Sequence, residues 1–143
     1  MTIADDWVSF DTNIYIFGIR EDPNFPACVE LLERIGELYV YIPRQIIREL
    51  QNNLQPDEIH ELFRLFHQYP DRIRINWKTT TLALIEKFQR LGCKLGDAAV
   101  AAHLEEEGVE TLISENRHFL AEISDLPFRV LSAAAALEEL YSH

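Results

Sequence analysis

Apolar residues recur along the chain in two rhythms, short unbroken runs and stripes with helical spacing, and the two alternate from one end to the other. Trp7-Val8-Ser9-Phe10 predicts a buried strand that runs into Asp11, and residues 38–42, 111–114 and 128–131 predict three more. Residues 72–76 alternate basic and apolar positions, as in a short edge strand or an extended link. Between these runs lie predicted helices. The first covers residues 14–17 and is closed by Gly18; the second opens at Pro26, carries Cys28, Val29, Leu31, Leu32 and Ile35 on one face, and ends at Gly36. A third runs from Arg44 to about Asn53 with Ile46, Ile47 and Leu50 inward, and a fourth opens with Pro56-Asp57-Glu58, acids suited to a helix N-terminus. Thr79 to Thr81 can cap a helix over residues 82–91; an alanine-rich helix follows from Gly96-Asp97 to Glu107, stopped by Gly108; Ser132 caps a last one through Tyr141. Strands that alternate with helices point to a parallel sheet covered on both faces. No internal repeat, low-complexity segment or linker interrupts the pattern, so a single α/β domain over residues 1–143 is expected.

Composition adds bounds to that picture. With 143 residues, 48% of them hydrophobic and 10% aromatic, the chain can bury a core without disulfide or metal staples. No apolar run approaches the roughly 18 residues that span a bilayer, and the first residues are acidic where a signal peptide needs basic ones. A cytoplasmic protein with no membrane partner is expected. Cys28 and Cys93 stand apart from any Cys or His cluster and read as buried free thiols.

Net charge changes the picture more. At -11 it argues, taken alone, against a nucleic-acid partner. Residues 44–94, however, hold nine of the thirteen basic side chains against six acids, a local +3 beside flanks that sum to -14. A basic middle between acidic ends can guide a polyanion towards a metal site; a solvated mixed-charge face is the other explanation.

Three carboxylates occupy positions that can converge: Asp11 at a strand end, Glu49 on the helix after the second strand, and Asp97 at the start of the alanine-rich helix. Taken singly, Asp97 can be explained as a helix-terminus acid and Glu49 as an exposed one. Asp11 resists such an explanation, because an acid that continues a buried strand costs several kcal/mol unless paired. Two carboxylates ~4 Å apart repel by about 4 kcal/mol at an effective dielectric near 20, enough to force protonation unless a cation enters. Oxygen-only ligands with no Cys/His cluster favour Mg²⁺ or Mn²⁺ over Zn²⁺, and such a centre suits phosphodiester hydrolysis.

These segments resemble the PIN-domain family of metal-dependent ribonucleases over nearly the whole chain. Val8-Ser9-Phe10-Asp11-Thr12-Asn13 is similar to the family's opening strand and first acid, and residues 42–50, Ile-Pro-Arg-Gln-Ile-Ile-Arg-Glu-Leu, to the segment that brings the second. Leu95-Gly96-Asp97-Ala98-Ala99 resembles the family's Asp-Ala helix, and residues 112–119, from Leu112 through Ser114 and Asn116 to Phe119, its last motif. The resemblance implies a three-layer α/β/α fold with a central parallel sheet of about four to five strands. It also implies cleavage of single-stranded RNA by a metal-activated water, with catalytic residues Asp11, Glu49, Asp97 and Asn116 and metal ligands Asp11, Glu49 and Asp97. Asn116 stands where many members carry a fourth acid; an amide can hold a ligand water but adds no charge. Neighbouring Glu115 is the alternative fourth acid. Size and layout look like the toxin half of VapBC-type toxin–antitoxin modules, which implies a homodimer and an antitoxin partner beside RNA.

Thr12, Asn13 and Ser114 are candidates to support the site, with strand-end and turn capping as the plainer explanation. Arg44 and Arg48 are candidates to guide RNA. Trp77 and Tyr69 suit base stacking or, more simply, packing. His118 can contact phosphate or be a surface histidine, and His60 and His67 read as surface residues. Two other functions fit less of the sequence. One is a PIN-like module that binds RNA or protein without catalysis, motivated by Asn116. The other is a phosphatase of the haloacid dehalogenase type, whose strand-end motif wants a second acid where Asn13 stands.

Overall fold

A computed structural model describes residues 3–142. Five strands form one parallel sheet in the order β3-β2-β1-β4-β5: β1 (Trp7–Phe10), β2 (Tyr39–Pro43), β3 (Ile73–Asn76), β4 (Thr111–Ile113) and β5 (Arg129–Leu131). The segment at residues 72–76 is therefore a true edge strand. Helices α1 (Thr12–Ile19), α2 (Pro26–Glu33), α3 (Arg44–Asn53), α4 (Pro56–His67), α5 (Leu82–Arg90) and α6 (Leu95–Glu107) make the crossovers from β1 to β4, and α7 (Ala133–Tyr141) follows β5. Phe10, Val40, Ile42, Leu112 and Ile113 are fully buried, as strands covered on both faces require. This is the expected three-layer arrangement, with the core running through the sheet into both helical layers.

Strand order decides where a ligand can bind. From β1 the chain builds outward to β2 and β3, then returns to the other side of β1 to lay down β4 and β5. Such a reversal leaves a crevice at the carboxyl ends of the two central strands. Asp11 follows β1 and Ser114 follows β4, so both stand at that crevice. Backbone bonds hold the junction: Asp11 N–H donates to the Ile113 carbonyl at 2.8 Å, and Ser114 N–H to the Leu131 carbonyl at 2.9 Å.

Two glycines have other roles than their expected ones. Gly18 lies inside α1, which continues to Ile19; a Cβ there would meet Leu32 Cδ2 at 2.8 Å and the Cys28 carbonyl oxygen at 3.1 Å. It lets α1 and α2 approach closely rather than ending the helix. Gly36 sits in a 3₁₀ turn over Ile35–Glu37 beneath the Tyr69 ring, so Tyr69 packs instead of stacking on a ligand. Gly108, by contrast, closes α6 in the left-handed conformation at φ 72°, the role its position suggests. Alanine at 98, 101 and 102 is fully buried and brings α6 tight against the sheet, which sets the position of Asp97 in its first turn.

Candidate functional site

Asp11 is the N-cap of α1: its Oδ1 accepts from the Thr12 backbone N–H at 2.8 Å, and its Oδ2 accepts from Ser114 Oγ at 2.8 Å. Glu49 lies on the inward side of α3, half-buried, where Oε1 accepts from Thr12 Oγ1 at 2.6 Å and Oε2 from Gln45 Nε2 at 2.9 Å. Asp97, also half-buried, accepts at Oδ2 from Asn116 Nδ2 at 3.3 Å. Asn116 in turn donates its backbone N–H to Ser114 Oγ at 2.9 Å and accepts the His118 N–H on Oδ1 at 3.0 Å. One hydrogen-bonded chain thus links the three acids through Thr12, Ser114 and Asn116. Glu49 is therefore not a free surface acid, and Asp97, although in the first turn of α6, accepts its side-chain hydrogen bond from Asn116 rather than from a helix N–H.

No salt bridge neutralises the charge in this chain of bonds: among the described residues none of the ion pairs involves Asp11, Glu49 or Asp97. Burial pushes the Asp11 carboxyl up to about 6; the Ser114 and Thr12 bonds oppose this, and the nearby charges of Asp97 and Glu49 add to it. Asp97 is also raised, first by burial and then by Glu49, against the opposing effects of Asn116, His118 and Lys94. The acids therefore repel one another in a crevice that offers neutral donors and no salt-bridge partner.

The donor set fits a hard divalent cation. It is oxygen-only, excess in negative charge, and each acid is oriented by a neutral hydrogen-bond donor, the outer support that metal ligands use. Among the described residues no group of three or more His, Cys, Asp and Glu side chains stands close enough to enclose an ion. The acids converge on one crevice without closing into a cage.

Other expected site residues are placed variously. Asn13 is exposed, makes no hydrogen bond to the acids, and stays outside the network. Glu115 points away and accepts the Ala133 N–H at the start of α7 at 2.9 Å, which removes it as the fourth acid. His118 is at the surface, its side chain 32% exposed, and is held there: Nε2 lies 2.7 Å from the Gly92 carbonyl oxygen and Nδ1 3.4 Å from Glu122. His60 and His67 are exposed, as is Trp77. Cys28 and Cys93 are buried free thiols. Burial pushes Cys28 up to about 12 and Cys93 to about 11. Arg44 and Arg48 lie on α3 beside the acids, lining a groove of about 350 Å³. A larger cavity, about 560 Å³, lies at the opposite end of the sheet between Asp6, Val8 and Phe128.

Gln45 was not singled out in the sequence, although its spacing from Glu49 is the one at which helical side chains meet. Gly96 is the other addition. A Cβ there would stand 3.0 Å from Glu49 Oε2 and 3.5 Å from Gln45 Nε2, so a bare α-carbon gives Glu49 its place.

Fold and crevice together define an α/β protein of the doubly wound type with an acidic centre at its switch point. The chain belongs to the PIN domain family, whose model matches residues 8–126. No curated protein sequence matches it. Among solved structures it is similar to FitAcB from Neisseria gonorrhoeae, with 19% identity, a TM-score of 0.61, and coverage of 89% of this chain and 98% of that one. It is also similar to VapBC2 from Rickettsia felis bound to a DNA fragment from their promoter, at 17% identity, TM-score 0.58, and 89% and 98% coverage. PAE2754 from Pyrobaculum aerophilum matches over 100% of both chains at 14% identity and TM-score 0.58. At these identities the likeness is one of fold. No helix among the described residues is long and apolar enough to cross a membrane.

Proposed function

We propose that the protein is a metal-dependent endoribonuclease that hydrolyses single-stranded RNA, with Asp11, Glu49 and Asp97 as the residues that hold Mg²⁺ or Mn²⁺. The observation that carries the reading is three acids in one hydrogen-bonded chain with no salt bridge among the described residues: burial raises Asp11 to about 6, and the charges of Asp97 and Glu49 add to it. When bound, the ion supplies Lewis-acid activation of water and neutralises charge on the scissile phosphate.

The chain's own residues do the rest. Ser114 and the Thr12 amide fix the Asp11 carboxylate, while Thr12 Oγ1 and Gln45 hold Glu49 from two sides. Asn116 orients Asp97 and contributes no charge, so the site carries three acids where a fully acidic version would have four. Arg44 and Arg48 line the groove beside Glu49, where a phosphate backbone approaching the acids would find positive charge. Structural likeness to FitAcB and VapBC2 supports the toxin of a toxin–antitoxin pair as its setting, with an antitoxin as partner; a second copy of the chain and a cytoplasmic location are part of the same proposal.

A specific observation favours one competing reading, a PIN-fold module that binds RNA or protein without cutting. Asn116 spends its amide on Asp97 and its carbonyl on His118, and the acids do not form a closed cage. Incubation of purified protein with a pool of end-labelled single-stranded RNA separates the two. Manganese-dependent fragments that vanish with chelator and in Asp97→Asn support the nuclease; intact RNA at stoichiometric protein, with the fold verified, supports the module.

A further inference from the structure

The basic middle of the sequence is not one surface. Arg72 and Arg74 lie over the rings of Tyr39 and Trp7, and Lys87 pairs with Glu105. Arg44, Arg48 and Lys78 make no side-chain hydrogen bond, ion pair or ring contact among the described residues, and all three line the same groove. No acid lines it, in a chain with a net charge of -11. Gln45 and Gly96 form the wall it shares with Glu49, so it adjoins the acidic crevice directly. Its remaining surface is mixed. Ile85 and Leu95 are apolar, and Leu95 is 64% exposed. Thr80 and His103 are polar, and Thr80 Oγ1 and His103 Nε2 have no partner among the described residues. Burial lowers the His103 pKa, which favours the neutral imidazole with one nitrogen as donor and one as acceptor.

We propose that this groove is a nucleotide-binding subsite for a single-stranded polynucleotide: Arg44, Arg48 and Lys78 take phosphate, and a base lies on Leu95 and Ile85 beside Thr80 and His103. Three unpaired cations match a polyanion, an apolar shelf matches the face of a base, and Thr80 and His103 on the same lining, each with an unpartnered polar atom, match the donors and acceptors of a base edge. A small rotation of Thr80 or His103 is needed to present those sealed atoms. Like charges facing one another across a symmetric contact disfavour a second copy of this chain as occupant. The subsite selects the nucleotide next to the cut, a role that rests on the nuclease reading, whereas its binding does not.

The test measures binding without metal. Anisotropy of labelled rU, rA and rC pentamers in EDTA, across a salt series, should give a log–log slope of about -2 for three phosphate contacts, with Lys78→Gln and Arg48→Gln each reducing it by about 0.7. Both side chains are exposed, so these variants fold. ¹⁵N-histidine spectra should show the His103 signal move with the preferred pentamer. Unchanged slopes in both variants, a still His103 signal, or the same shift with inorganic phosphate at equal ionic strength would each overturn the proposal. A His103 shift that follows protein concentration and not RNA would assign the groove to self-association and overturn it too. Groove binding without any manganese-dependent cleavage would remove the nuclease reading and leave the subsite. Cleavage by Lys78→Gln and Arg48→Gln with wild-type base preference and KM would remove the subsite and leave the nuclease.

Discussion

Ser114 Oγ donates to Asp11 Oδ2 at 2.8 Å, joining the two strand ends that flank the reversal of strand order, 103 residues apart in sequence. The same oxygen accepts the backbone N–H of Asn116, so one hydroxyl orients the first acid and the loop that reaches the third. Ser114→Ala removes both bonds inside a buried site. Unfolding free energy should fall by about 1–3 kcal/mol, and metal affinity by roughly 10–100-fold. The Ser114 bond lowers the Asp11 pKa, so its loss should move that carboxyl above its present value of about 6, which NMR titration of the side-chain carbon measures.

Asp11 also makes stability depend on pH with an unusual sign. Its pKa is about 6 in the fold against an ordinary 3.8, so between those values the native chain keeps a proton that the unfolded chain has released. In metal-free protein this contribution should decline by about 3 kcal/mol as pH rises from about 4 to about 6 and stay flat above. The raised Asp97 acts in the same direction. Melting curves in EDTA should show the decline, and Asp11→Asn should flatten it and raise the neutral-pH melting temperature while abolishing metal binding and cleavage.

Gly96→Ala separates stability from function. Alanine gains up to about 1 kcal/mol over glycine inside a helix and less in the first turn, where Gly96 stands, yet the new Cβ would be 3.0 Å from Glu49 Oε2. The carboxylate end can yield by a few tenths of an ångström and lose its place. The variant should melt no lower than the parent and bind Mn²⁺ roughly 10-fold more weakly, as read by thermal denaturation and calorimetry.

Asn116→Asp gives up the amide donor to Asp97 and adds a like charge beside it. Metal-free protein should lose about 1–2 kcal/mol, while saturating Mn²⁺ should raise the melting temperature by more than it does for the parent. A smaller metal-induced rise would show that position 116 does not face the ion.

The alternation of strand and helix was legible because the central strands are buried on both faces, which makes β2, Tyr39–Pro43, an unbroken apolar run, whereas edge strand β3 alternates. Asp11 and Asp97 were legible as acids at a strand end and in a helix's first turn, and Glu49, in the middle of α3, only by its place on the helix after β2. Gly18 was not, since a glycine that admits a neighbouring helix reads the same as one that ends its own. The π-helical turn His118–Glu122 was equally hidden, because its defining bond, Ile123 N–H to the His118 carbonyl, spans five residues and follows neither the strand nor the α-helical period. Nor could charge counting distinguish Arg74, spent on Trp7, from Lys78, left free at the groove.

The central claim is that three acids distant in sequence form one cation site, and calorimetric titration of Mn²⁺ into the metal-free protein beside Asp11→Asn/Asp97→Asn tests it most directly. Saturable binding in the parent that disappears in the double variant, with both folded, is the predicted result; no binding to the parent, or equal binding to both, would contradict it.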